Sequence, residues 1–387
     1  MKVLHAYNLH RSGGGASVAT LQLVDLLRER GVEVQTFERT STQLQANLQG
    51  RIKAATSAFV PGKSVRQFSA ALDAFKPHLV HAHELFPLVS PWILPECKRR
   101  GIPVVMTCND YHLTCPARNH IRAGAICTLC ADGTVYRSVL HNCRGNLPES
   151  MAMAAYCSVV NGFGLYRRNV SHYIVPSAFT GAWLSSNLSV APGDLTVIPT
   201  QVRVPAEAAT PAVGRYAAFA GRFVPEKGIA VLLDAAAACS VPLELSRNRA
   251  SFVNVDVPAA VPVVVTDTRQ ELEAFYRGAR MVVVPSVWFE TFGLVAAEAM
   301  ALGIPVIASR IGALADLIAD GVDGLLFETG NAKDLAQKMR WLWDHPAEAE
   351  SMGSKARAKA TQLWSPDAHY VGTMKVYEKV LNRQVSA

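Results

Sequence analysis

Two carboxylates eight residues apart, Glu290 and Glu298, stand in the apolar run Glu290-Thr-Phe-Gly-Leu-Val-Ala-Ala-Glu298, with Gly293 between them. Met281-Val-Val-Val-Pro-Ser286, just before, reads as a buried parallel strand ending in a turn. Ala296-Ala-Glu-Ala-Met-Ala-Leu302, just after, reads as a helix stopped by Gly303 and Pro305. A helix apolar nearly all round is a buried one, and a carboxylate inside it needs a hydrogen-bonding partner. Glu290 falls in the turn ahead of the helix N-terminus, where backbone N–H groups and the helix dipole favour an anion. At 1.5 Å per residue, Glu298 lies about 7 Å along the axis from Gly293. The run therefore offers a carboxylate at its mouth, a phosphate-sized set of N–H groups around Phe292, Gly293 and Leu294, and a second carboxylate deeper in. A nucleotide diphospho-sugar carries hydroxyls, phosphates and a ribose in a comparable order. Two glutamates on a solvated face would fit poorly beside Leu294, Val295 and Met300.

Other residue sets suit the same chemistry. Arg222 and Lys227 follow the strand-like Ala217–Ala220, at the end where open α/β sheets bind ligands. An Arg fork and a mobile Lys ammonium suit a diphosphate whose charge grows as it leaves. At a helix start both would be disfavoured by the dipole, which argues for a ligand. Gly13-Gly-Gly15 follows the first strand and opens a helix from Ala16 to Arg30. Glycines there let a backbone approach a ligand closely, and a plain tight turn explains them equally well. A nicotinamide fingerprint would want a third glycine where Val18 stands, although Glu33 and Glu38 lie at about the distance of a ribose acid.

Four of the eight cysteines, Cys115, Cys127, Cys130 and Cys143, lie in a segment with little periodicity. Cys127-x-x-Cys130 has zinc-knuckle spacing, with Cys115 and Cys143 available to complete four thiolates and His112, His120 and His141 as other ligands. A structural zinc that pins a long loop and a set of free thiols both remain open. No acidic metal motif lies near Arg222 and Lys227, so the expectation is no cofactor for catalysis.

These residues carry a resemblance. Glu290 and Glu298 look like the E-x7-E motif of family 4 retaining glycosyltransferases. Gly221-Arg222-Phe-Val-Pro-Glu226-Lys227-Gly228 resembles that family's G-R-x-x-x-E-K-G segment. Gly303-Ile-Pro-Val-Ile-Ala-Ser309 and Gly321-Val-Asp-Gly324-Leu-Leu resemble the strand and turn that follow its E-x7-E helix. Leu79-Val-His-Ala-His83 and Val104-Val-Met-Thr-Cys-Asn-Asp-Tyr111 match more loosely. The resemblance implies an α/β chain of the GT-B type, two Rossmann-like doubly wound domains facing a cleft. It also implies metal-independent transfer of a sugar from a nucleotide diphosphate donor, UDP- or GDP-linked, to a glycan or lipid-linked hydroxyl.

In that reading Glu290 serves the reacting sugar, Glu298 the ribose, and Arg222, Lys227 and the N–H groups near Gly293 the diphosphate. Gly14, Gly15, His83, Asn109 and Asp110 become further substrate contacts. The chain departs from the pattern at Asn109, where many relatives have a histidine. It departs again between Leu245 and Val263, where a Gly-rich loop and a helix are replaced by Ser-Arg-Asn-Arg-Ala-Ser. Base identity therefore does not carry over. A nicotinamide-dependent oxidoreductase and a zinc-containing nucleic-acid-binding protein are the competing readings, and the second leaves the carboxylate pair unexplained.

The elements that must position these residues follow from alternation of short β-branched runs with longer helical stretches. Strands are expected near Val3–Tyr7, Val32–Phe37, His78–His81, Val104–Thr107 and Tyr173–Val175. In the second half they fall near Ala217–Ala220, Val263–Thr266, Met281–Val284, Val306–Ala308 and Leu325–Phe327. Residues 1–200 form an N-terminal domain with a cysteine-rich insertion at 112–145, and 201–212, with its prolines, reads as a linker. Residues 213–365 form the donor domain, and 366–387 a helix that, by resemblance, crosses back to the N-terminal domain. Half of the 387 residues are hydrophobic and 18% are charged, ample for two cores. No apolar run reaches membrane-span length and the start reads as a strand, so the expectation is a cytoplasmic protein. Residues 1–200 hold 19 Lys/Arg against 11 Asp/Glu, whereas the remainder holds 19 against 20. That basic half suggests an acidic partner, such as an anionic membrane surface or a lipid diphosphate, rather than nucleic acid.

Overall fold

The computed structural model describes residues 1–9, 15–40, 62–251 and 253–385. The chain divides into two compact units, the first comprising residues 1–122, 127–198 and 370–387, the second 123–126 and 199–369.

In the first unit, β1 (Lys2–Leu9), α1 (Gly15–Glu29), β2 (Glu33–Thr40), α2 (Gly62–Phe75), β3 (Leu79–Ala82), α3 (Ile93–Arg99) and β4 (Val104–Thr107) alternate as the sequence pattern requires. The cysteine-bearing segment then carries only β5 (Ile121–Arg122), β6 (Ala125–Ile126) and α4 (Arg137–Leu140) before the long α5 (Leu147–Gly162). The unit finishes with β7 (His172–Val175), α6 (Ala178–Leu188) and β8 (Leu195–Val197). Its parallel sheet runs β2-β1-β3-β4-β7-β8, so the strand order reverses between β1 and β3. The inner strands read as continuous apolar runs because helices cover both faces.

The second unit contains β9 (Tyr216–Ala220), α7 (Ile229–Cys239), β10 (Leu243–Arg247), β11 (Val263–Val265), α8 (Arg269–Arg277), β12 (Ala279–Val284), α9 (Leu294–Ala301), β13 (Val306–Ser309), α10 (Gly312–Leu317), β14 (Gly324–Phe327), α11 (Ala332–Asp344) and α12 (Pro346–Leu363). Its parallel sheet runs β11-β10-β9-β12-β13-β14, reversing between β9 and β12. Both units are thus doubly wound α/β sheets, and in each the reversal opens a crevice at the strand C-termini. Last comes α13 (Pro366–Val385), whose residues from Tyr370 onward group with the first unit. There Val376, Tyr377 and Val380 pack on Val3, Leu27 and Leu79.

All ten expected strands exist. The short edge strand β8 and the internal β10 were not anticipated, because Leu-Thr-Val is brief and Leu243-Glu-Leu-Ser-Arg reads as a mixed polar stretch. The stretch expected as a linker is not a loose tether. Arg277 donates to the carbonyls of Glu207 and Ala208, and Arg357 to those of Pro205 and Ala206, fastening it to the second unit.

Candidate functional site

The second unit's crevice is built from two loops. After β9 the chain passes Gly221 and Arg222, makes one 3-10 turn at Pro225–Lys227, and reverses at Gly228 with φ +69°. A Cβ on Gly228 would lie 1.8 Å from the Pro285 carbonyl oxygen, so only glycine lets this loop press on the end of β12. The Val287 N–H also donates to the Glu226 carbonyl at 2.9 Å. That contact brings Lys227 Nζ to 2.7 Å from Glu290 Oε1. Ser286 Oγ and Trp288 Nε1 donate to the same oxygen at 2.7 and 2.9 Å. Among the described residues no donor reaches Oε2. Glu290 is buried, and desolvation alone would raise its pKa, but the Lys227 charge and the three donors hold it below the usual carboxylate range. Lys227 further lies over the Trp288 ring, 5.4 Å from its centre.

Gly293, at φ +94°, caps α9 without any side-chain hydrogen bond, so the first-turn N–H groups are not spent on a cap. Its missing Cβ makes room for Leu314, which would otherwise be 2.6 Å away. Leu294 is the half-buried first residue of the helix. The Phe292 side chain belongs to the core, edge-on to Trp364 with ring centres 5.9 Å apart. Only its backbone remains for a ligand.

Glu298 differs from Glu290 in kind. It accepts no hydrogen bond from any described residue, and burial, only partly offset by Arg269, raises its carboxyl to about 7. Arg222 is exposed and only loosely held, 3.8 Å from Glu226. The strand ends of the second unit thus carry one neutralised carboxylate, one half-buried carboxyl without a hydrogen-bond partner among the described residues, an exposed guanidinium and an open helix N-terminus.

The first unit's crevice is lined by Asn8, His83, Glu84, Thr107, Asn109 and Asp110, among others, at the ends of β1, β3 and β4. Of the glycines expected nearby, Gly15 is the exposed first residue of α1, and Gly14 lies outside the described residues. His83 is buried, stacked on His81 with centres 4.2 Å apart and bonded to His5 Nδ1 at 3.0 Å. Asp110 accepts from His112 and Arg118, and Arg118 also pairs with Glu84. Sequence reasoning missed Arg118, because the loop that swings it between two carboxylates has no local signature. It also missed Ser286 and Trp288, although two donors within four residues of Glu290 were a readable hint.

Among the described residues, only His5, His81 and His83 draw together, with ring nitrogens within 4.8 Å of one another. His83 stacks on both His5 and His81, the His5 and His81 rings are tilted by 44°, and His81 spends both nitrogens on Tyr377 and Thr107, at 2.6 and 2.7 Å. The hydrogen bonds of His81 leave it no lone pair for an ion as the group stands. Cys115, Cys127, Cys130 and Cys143 form no such group, though they share a neighbourhood. Burial and then the fields of Cys115, Cys143 and Cys127 push the Cys130 thiol up to about 11.

Comparison with known proteins agrees with this architecture. A family profile described as Glycosyltransferase Family 4 matches residues 13–204, and one described as Glycosyl transferases group 1 matches 214–345. A D-inositol 3-phosphate glycosyltransferase of Pseudarthrobacter chlorophenolicus is 37% identical over 187 residues, covering 43% of each chain. An MMP alpha-(1->4)-mannosyltransferase of Mycolicibacterium hassiacum is 28% identical over 232 residues, covering 56% of each. The match thus spans about half the length of these relatives. Sucrose-phosphate synthase from Thermosynechococcus elongatus superposes with TM-score 0.73 at 21% identity, over 99% of this chain and 100% of that one. Anabaena HepE in complex with UDP-glucose gives 0.64 at 17%, over 98% and 100%. With both halves matched in order, and doubly wound sheets beneath each, the chain belongs to the family 4, group 1 glycosyltransferases and has the GT-B fold.

Proposed function

We propose that this glycosyltransferase takes its sugar from a nucleotide diphosphate donor bound in the second unit and transfers it with retention. The observation that carries the reading is the Lys227–Glu290 pair, set beside the uncapped N-terminus of α9. Arg222, Lys227 and the first-turn N–H groups hold the diphosphate. Glu290 Oε2 accepts hydroxyls of the donor sugar, and the carboxylate stabilises the positive charge that develops on C1 and the ring oxygen as the closed ring flattens toward an oxocarbenium ion. Glu298 accepts the ribose hydroxyls, which supply the partners the protein does not. The C1–oxygen bond to the diphosphate breaks, the bond to the acceptor hydroxyl forms on the same face, and the acceptor's proton passes to the departing phosphate. Two cations within the proposed donor site, Arg222 and Lys227, support the reading of a metal-independent step. HepE, solved with UDP-glucose, is consistent with a UDP-linked donor.

The acceptor, a glycan or lipid-linked hydroxyl, is assigned to the first unit's crevice, with His83, Asn109 and Asp110 as contacts and Arg118 holding Asp110 in place. The four thiols would have to close up and lose their protons to hold a structural zinc, which would stiffen the loop without entering the reaction.

A thermal-shift panel tests the reading. UDP or GDP, and their sugars, should raise Tm in proportion to the logarithm of concentration. A response to NAD(P)H with none to any nucleoside diphosphate would replace the transferase reading with the oxidoreductase one.

A further inference from the structure

Helix α5 has one charged residue, Glu149, in sixteen positions. A helix so apolar belongs inside a protein. One side is inside, through Met153, Ala154, Tyr156, Cys157 and Val160. The other is not. Leu147 and Met151, four apart, are each at least half exposed, and exposed Ala155, Ser158 and Gly162 extend the same stripe without a charge. At α4, which packs against α5, Tyr136 just before the helix and Leu140 at its end repeat the spacing, and Leu140 is 73% exposed. Phe163, at the far end, is 57% exposed and tilts against the Trp92 ring, with centres 5.2 Å apart. Six of the twenty exposed large apolar side chains among the described residues fall between Leu129 and Phe163, all in the first unit. A concentration of this kind marks a surface that something covers.

The charges nearby say what. Asp132 and Glu149 lie against Arg137 and Arg144. Arg122, Arg167 and Arg168 are exposed and make no ion pair with any described residue. Arg167 and Arg168 follow the end of α5 closely, Arg167 lines one cavity with Asn161 and Asp132, and Arg122 lies near Cys143 just ahead of α5. An apolar strip with unpaired cations in its neighbourhood matches an anionic bilayer, whose acyl boundary takes the apolar side chains and whose headgroups take the guanidinium groups. A second copy meeting this face by two-fold symmetry would set like charges against one another. Nucleic acid would satisfy the cations and leave Leu140, Leu147 and Met151 uncovered. We propose that the α4–α5 face docks on the surface of an anionic membrane. This goes beyond the donor-site reading and does not depend on it.

Flotation with vesicles of phosphatidylcholine alone, or with one third phosphatidylglycerol, tests the proposal. The protein should float with the anionic vesicles only, and raised salt should weaken binding. An arginine near such a surface raises the partition coefficient roughly fivefold, so removing two with Arg167→Ala and Arg168→Ala should lower it about 25-fold. The double variant Leu140→Glu, Met151→Glu should abolish flotation while leaving Tm and the nucleoside diphosphate response unchanged. Wild-type protein that ignores both vesicles overturns the proposal, as do variants that float like the wild type. A dimer in solution that Leu140→Glu, Met151→Glu splits, without vesicle binding, would assign the face to self-association instead. Nucleotide binding is read separately, so loss of one reading is not mistaken for loss of the other.

Discussion

Replacing Glu298 by glutamine should stabilise the protein and weaken its grip on nucleotide, in a pH-dependent way. The carboxyl titrates at about 7 in the folded protein against a reference value of 4.5. Its folded pKa is raised, so ionising it works against folding. Stability is greatest below about pH 4.5, falls as pH climbs toward 7, and levels off above. At about 1.4 kcal/mol per pH unit between the two values, the charge costs about 3 kcal/mol by pH 8 and under about 1 kcal/mol at pH 5. Glu298→Gln carries no such charge. Its Tm should exceed that of the wild type by roughly 6–12 °C at pH 8, and the gap should close toward pH 5. Hydrogen bonds from ribose hydroxyls to a charged acceptor are worth about 1.5–3 kcal/mol. The variant should therefore bind UDP or GDP roughly 10–100-fold more weakly at pH 8, and wild-type affinity should rise between pH 6 and 8 while the variant's stays flat. Differential scanning fluorimetry and calorimetric titration across pH 5–8 measure both. Parallel Tm curves for the two proteins would show that Glu298 is not the strained group, and unchanged nucleotide affinity would remove it from the donor site.

Glu290→Gln should chiefly lower turnover, by about 100-fold or more, with nucleotide affinity within a few-fold of wild type, measured by kinetics and titration side by side. Lys227→Ala should reduce both, and the double variant should lose less than the sum of the single losses because the two groups share one ion pair. Gly228→Ala places a methyl group 1.8 Å from the Pro285 oxygen and should destabilise the second unit by about 3 kcal/mol or more, read as a fall in denaturant midpoint. Elemental analysis of freshly purified, reduced protein should find one zinc per chain if Cys115, Cys127, Cys130 and Cys143 close on an ion, and EDTA should leave turnover unchanged. Mg²⁺- or Mn²⁺-dependent recovery after EDTA would overturn the metal-independent step.

What could be read from the sequence was what the chain keeps contiguous. The Glu290–Glu298 run contains its own strand end, turn, helix start and buried acid, so composition and spacing located a crevice before any sheet was known. The strands fell where β-branched runs are unbroken, and β10 escaped because Glu244 and Ser246 interrupt its pattern. Long-range facts left no such trace. The proline-rich stretch at 201–212 looks like free chain, yet its carbonyls are claimed by Arg277 and Arg357, the latter more than 140 residues away. Arg118 gains its meaning only from Glu84 and Asp110, which different strands bring to it.

The pairing of Lys227 with Glu290 shows why this distinction matters for mechanism. Read separately, the lysine belongs to the phosphates and the glutamate to the sugar. Folding sets them 2.7 Å apart, through a glycine that allows one loop to rest on the other. In the ligand-free protein each charge neutralises the other, which makes a carboxylate this deeply buried tolerable. In the proposed mechanism a diphosphate that draws Lys227 toward itself would uncover negative charge on Glu290, beside the carbon where positive charge would develop. Donor binding and transition-state stabilisation would then be coupled through one ion pair, so that Lys227→Ala should disturb both whereas Glu290→Gln should act chiefly on turnover.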